Sequence, residues 1–306
     1  MEFKKKTLET QIIEIFQKIS PAITRLIQST MDNDKIVLNL GKTKSKNKNE
    51  ININPSILVN SVSDSDLEFK EVVIGTVIHE AIHSMEDYIF DIDKDLSKFQ
   101  DETDGLNDID EVLEVLSGPF GKYIFEILVH SFEEYKFVKD FKGLRSILQD
   151  IYEESSINIK NLKPFNKFLI LMFHSIAGYI EIDLQSYPKN IKESVRETLA
   201  ILNNFSYDRD LVEDTIEITI QIADICRRYN LLPDVDSQTL GERRESIEKF
   251  EDSVIDDLNK VLIPSSTNIT TGNTLEKFLG KKGKESDDEK LNIMDDHVSK
   301  IGTSTT

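Results

Sequence analysis

The stretch Val72-Val73-Ile74-Gly75-Thr76-Val77-Ile78-His79-Glu80-Ala81-Ile82-His83 decides how this chain is read. Its last five residues form an HExxH motif. On a helix four residues advance about 400°, so His83 lies about 40° from His79, and Glu80 about 100°. One helical face therefore offers two imidazoles with a carboxylate beside them. Zinc-dependent hydrolysis uses that set as two metal ligands and a general base for an activated water. With five His in 306 residues, chance gives on the order of 0.01 such motifs per chain, so coincidence is a weak explanation. The flanks add a second argument. His, Glu and His are the main polar interruptions of an apolar run, which predicts a buried helix. Unpaired imidazoles there are costly, and a bound metal removes the cost. Zn2+ is the expected cofactor, with His79 and His83 as ligands and Glu80 as the catalytic base.

Working outward, residues 7–30 carry Ile12, Ile13, Ile15, Phe16, Ile19, Ile23 and Ile27 on one broad face and predict a helix. Ser20-Pro21 marks a kink or a second helix start. Lys35–Leu40 and Glu50–Asn54 read as two strands, the second alternating cleanly until Pro55 stops it, and together they predict a β-hairpin. Residues 41–49, with Lys at 42, 44, 46 and 48, form its basic turn. Asp64, Ser65 or Asp66 caps the next helix, about 67–90, which carries the motif. An acidic stretch, 91–118, holds a short helix near Ile109–Leu116. Helices follow near 120–141, 143–155, 164–182, 189–204, 209–229 and 238–262. The expected fold class is mainly α (α+β): one helix-rich domain over 1–263 with a small sheet near its start. The active-site part is about 35–150 and a helical part about 151–263. From Pro264 the composition turns to Ser, Thr, Asn, Gly, Lys and Asp, which predicts a disordered tail over 264–306.

Two histidines do not complete a catalytic zinc site, which takes three protein ligands and leaves a position for water. Residues 84–92 contain no His, so the metzincin pattern is excluded. Asp87, four residues after His83, is a candidate outer partner for it. The third ligand is expected on the next long helix, in Leu128-Val129-His130-Ser131-Phe132-Glu133-Glu134. His130 and Glu133 are three apart and share a face, and Glu134 borders it. Glu133 is the first choice, with Glu134 and His130 as alternatives. His174, in the apolar run Leu169–Tyr179, reads first as a core histidine and second as an oxyanion stabiliser. Glu181 shares its helical face, while Tyr179 points about 140° away.

Ile53-Asn54-Pro55-Ser56-Ile57-Leu58, the HExxH helix and the block Leu128–Phe137 together resemble the zincin-type metallopeptidases found next to von Willebrand A-like domains in bacteria and phages. That family carries Asn-Pro after a strand, then the HExxH helix, then a block like N-x-x-E-D-x-R-I-E. Here His130 takes the Asn place, Glu133 the Glu, Glu134 the Asp and Lys136 the Arg. The resemblance covers about residues 35–150 and lacks an Asp-x-Ser-x-Ser signature. It implies a gluzincin-like fold and site and a peptidase acting on a protein or peptide substrate. The alternative is an inactive zincin-fold structural or interaction protein, such as a phage or host assembly factor.

Composition bounds the partners. The chain has 56 acidic against 37 basic residues and a net charge of −19, which speaks against nucleic acid and anionic membranes. The single cysteine, Cys226, permits no disulfide within the chain. Met1–Lys6 is followed by an amphipathic pattern rather than a signal peptide, and no apolar run approaches 18 residues. A cytoplasmic location is the expectation.

Overall fold

The computed structural model describes residues 7–30, 32–41, 49–63, 67–83, 99, 103, 106, 108–156, 159–203, 211–233 and 240–258. Several sequence expectations lie outside these residues: the basic turn at 42–48, the cap at 64–66, the motif helix beyond His83 with Asp87, and the tail over 264–306. The described residues are mostly helical, with ten α-helices and a small two-stranded sheet near the N-terminus. Among them no helix is long and apolar enough to cross a membrane. The chain divides into two compact units, the first running to Met85 and the second from Glu86 to Leu262.

In the first unit, α1 (Leu8–Thr30) runs unbroken through Pro21, whose ring lies on the exposed face. Its buried stripe is Ile12, Phe16, Ile23 and Ile27, the spacing a single apolar face requires. The strands β1 (Val37–Leu40) and β2 (Glu50–Ile53) pair in parallel, Val37 opposite Glu50 and Leu40 opposite Ile53. This corrects the predicted hairpin. Period-two alternation specifies which side chains turn inward, here Leu38, Ile51 and Ile53, but not strand direction. The connection 41–49 lacks a two-residue turn signal of the Asn-Gly kind. At about 3.3 Å per residue it is long enough to bring the chain back past a four-residue strand.

Asn54-Pro55 does more than stop β2. It opens a helix the sequence reading missed, α2 (Pro55–Ser63). The Asn54 side chain accepts the Ser56 N–H at 3.0 Å, and Pro55 stands at the first helical position, where its missing N–H costs nothing. The motif helix α3 (Phe69–His83) is packed by α1, α2 and β2. Val72, Val73, Thr76, Val77, Ile78, His79, Glu80, Ala81 and Ile82 are all buried. From Gly75 to Ile82 every residue is buried, so this stretch has no polar face and its hydrophobic pattern is continuous rather than striped.

In the second unit, α4 (Ile109–Ser117) begins at Asp108, whose carboxylate accepts the N–H groups of Asp110 and Glu111. The next helix, α5 (Gly121–Asp140), is central: α4, α6 (Lys142–Ser156), α7 (Pro164–Ala177) and α9 (Leu211–Arg228) pack on it. The helix α8 (Lys189–Leu202) joins α7 and α9, and α10 (Leu240–Leu258) packs on α7. Asn166 of α7, fully buried, donates to Asp257 Oδ2 at 2.7 Å and to the Ser253 carbonyl at 3.2 Å, tying α10 in place. The predicted helix 164–182 ends at Ala177, because Gly178 adopts φ 73° and its N–H caps the His174 carbonyl. Glu181 therefore lies past the helix end and is exposed.

Candidate metal centre

On α3, His79 and Glu80 have no exposed surface. They lie at the C-terminal end of an apolar helix, so each polar group is carried into the interior by its own backbone rather than by a long loop. The backbone of His83 continues the same helix; its side chain lies outside the described residues. The positions of His79 and His83 on one α-helix are thus as the motif spacing predicts.

On α5, His130, Glu133 and Glu134 are also buried, at 5%, 5% and 0% exposure. His130 Nε2 stands 3.3 Å from Glu134 Oε1, one helical turn away. The same Oε1 accepts a hydrogen bond from the Tyr152 hydroxyl of α6 at 2.8 Å. His130 and Glu134 thus offer an imidazole and a carboxylate, the donor types a metal site uses. Both are residues that the sequence reading placed behind Glu133. Helical spacing alone separates the two adjacent glutamates poorly, since each lies within one turn of His130.

The surroundings of Glu134 were not visible in the sequence. Tyr152 stacks on Tyr179, ring centres 5.0 Å apart and planes 21° from parallel. His174 meets Tyr152 edge-on at 5.5 Å and Phe173 at 5.0 Å. Neither ring nitrogen of His174 has a hydrogen-bond partner among the described residues. Burial lowers its pKa from the ordinary 6.5 to about 4, against the opposing pull of the Glu134 charge. His174 is thus a neutral imidazole at pH 7. Burial, and then the Glu134 charge, push the phenols of Tyr152 and Tyr179 well above their usual value. A buried Tyr needs an acceptor for its hydroxyl, and that rule was the available signal for Tyr152, four residues after the buried Leu148 on the apolar face of α6.

The donor chemistry of these candidate residues fits zinc. Imidazole nitrogens with a carboxylate oxygen are a borderline set suited to that ion, whereas calcium and magnesium take oxygen ligands. No protein family, no curated protein and no solved structure matches the chain.

Proposed function

We propose that this chain is a zinc-dependent peptidase. The observation that carries the reading is the HExxH motif on α3, whose His79 and Glu80 are buried, with His130 and Glu134 buried on α5. Four protein donors close a zinc site, and catalysis requires an open position. The reading therefore takes His79, His83 and Glu134 as ligands, with His130 as the neighbour of Glu134. Glu133 is the competing carboxylate.

When bound, zinc supplies Lewis acidity and makes a water nucleophilic near neutral pH. Glu80 takes the proton of the attacking water and passes it to the leaving amine of the scissile peptide bond. The substrate class is a protein or peptide.

A structural metal site on an inactive scaffold is the second reading. The burial of Glu80 favours it, because a general base has to meet water and substrate. One set of measurements separates the two. Metal analysis of purified protein is expected to give about one zinc per chain, and a peptide-library assay is expected to show cleavage that Glu80→Gln abolishes while zinc stays bound. Cleavage surviving in Glu80→Gln would remove the role of Glu80. Stoichiometric zinc with no cleavage, in a four-ligand sphere by X-ray absorption, would establish the scaffold. Zinc content of Glu133→Gln against Glu134→Gln decides the carboxylate.

A further inference from the structure

We infer that Tyr152 is a positioning residue for the metal-ligand carboxylate of Glu134, held in place by a stacked aromatic on the segment after α7. The inference deepens the metal reading and rests on Glu134 being a ligand.

The first link is the short contact from the Tyr152 hydroxyl to Glu134 Oε1, 2.8 Å, with both residues fully enclosed. A hydroxyl donating to a carboxylate in a dry interior is a strong, directional bond. A carboxylate restrained on one oxygen is fixed in rotation about its terminal torsion. The other oxygen is then fixed in direction without a search of its own. Outer partners of this kind orient metal ligands and raise affinity.

The second link fixes Tyr152 itself. Its ring packs against the tilted ring of Phe173, at 5.1 Å, and the stacked face of Tyr179, at 5.0 Å. Tyr179 follows Gly178, whose left-handed backbone turns the chain out of α7. Arg145, two turns before Tyr152 on α6, donates to the Gly178 carbonyl. The helix that carries Tyr152 therefore also anchors the turn that carries its stacking partner. Nothing in this arrangement needs the tyrosine hydroxyl for packing, since Phe would fill the same space. The hydroxyl is accounted for by Glu134.

Zinc affinity is the test, measured on the full chain by competition with a chromophoric chelator. Tyr152→Phe is expected to weaken zinc 10–100-fold, the range seen when an outer partner is lost, and to alter the visible spectrum of the cobalt-substituted protein. Tyr123→Phe, a buried tyrosine elsewhere on α5, is the control and is expected to leave both unchanged. Tyr179→Leu removes the stacked ring but keeps the Tyr152 hydroxyl, and is expected to weaken zinc in the same direction by a smaller factor. This variant also serves if Tyr152→Phe does not fold. Unchanged affinity in the folded variants, with wild type holding zinc, overturns this inference alone. Wild type that takes up no zinc overturns the metal reading and this inference together.

Discussion

His130 Nε2 and Glu134 Oε1 lie 3.3 Å apart on adjacent turns of α5, with almost no solvent at either. Glu134 Oε1 also receives the Tyr152 hydroxyl. One carboxylate oxygen thus faces both an imidazole and a phenol in the buried interior. Removing the carboxylate takes this contact from both polar groups. Glu134→Ala is expected to lower unfolding free energy by about 2–4 kcal/mol, from the lost polar contacts and lost volume. Glu134→Gln, whose amide oxygen still accepts from Tyr152, is expected to cost about half as much. Urea unfolding in the presence of a chelator measures both. An Ala variant as stable as wild type would mean that Glu134 is not the centre of this cluster.

The pH dependence of folding offers a second check. His174 has a folded pKa of about 4 against about 6.5 for an unfolded histidine. Between those values the unfolded chain binds a proton that the folded chain refuses. Stability is therefore independent of this group above about pH 6.5, falls as pH drops below it, and is fully diminished below about pH 4. The shift corresponds to a loss on the order of 3 kcal/mol. His174→Phe removes the titration and is expected to flatten the pH–stability curve in that window. The comparison is made with chelator present, so that metal release at low pH does not contribute. Parallel curves for variant and wild type would show that His174 is not held neutral.

What the sequence disclosed and what it hid divide on physical lines. The burial of α3 was legible because an apolar run interrupted only by His and Glu leaves no solvated face. The seven helices from Ile109 to Leu258 were legible for the usual reason, a 3.6-residue period bounded by caps. Strand direction was not, because side-chain alternation is the same for Glu50–Ile53 whichever way its partner runs. The α2 helix was missed because Pro55 was read as an end rather than a beginning, although Asn before Pro suits a helix start. Local spacing singled out His79 and the α5 block as candidates. The choice between Glu133 and Glu134 depends on residues from other helices, Tyr152 above all, and no local period encodes that contact.

The start of α2 can be tested directly. Asn54 Oδ1 accepts the Ser56 N–H at 3.0 Å, and the Asn54 carbonyl accepts the Ile57 N–H at 3.1 Å. Asn54→Ala deletes the first and keeps the second. It is expected to cost about 1 kcal/mol, whereas Asn54→Asp or Asn54→Ser should retain most of the stability. Thermal unfolding of the three variants measures the difference. Equal losses in Ala, Asp and Ser would show that the side chain does not cap the helix.

Gly178 separates backbone strain from crowding. Its φ of 73° lies in the left-handed region, which costs an L-residue about 1 kcal/mol. A Cβ built there meets only the Arg145 guanidinium, at 3.6 Å, an ordinary contact. Gly178→Ala is therefore expected to destabilise by about 1 kcal/mol through conformation alone. Gly178→Asn is expected to cost less, because asparagine tolerates this region better. The order Gly, Asn, Ala in chemical denaturation identifies strain as the cause. If Asn were worse than Ala, size rather than φ would govern the position. The turn that presents Tyr179 to Tyr152 would then be set by packing around Arg145 rather than by the glycine backbone.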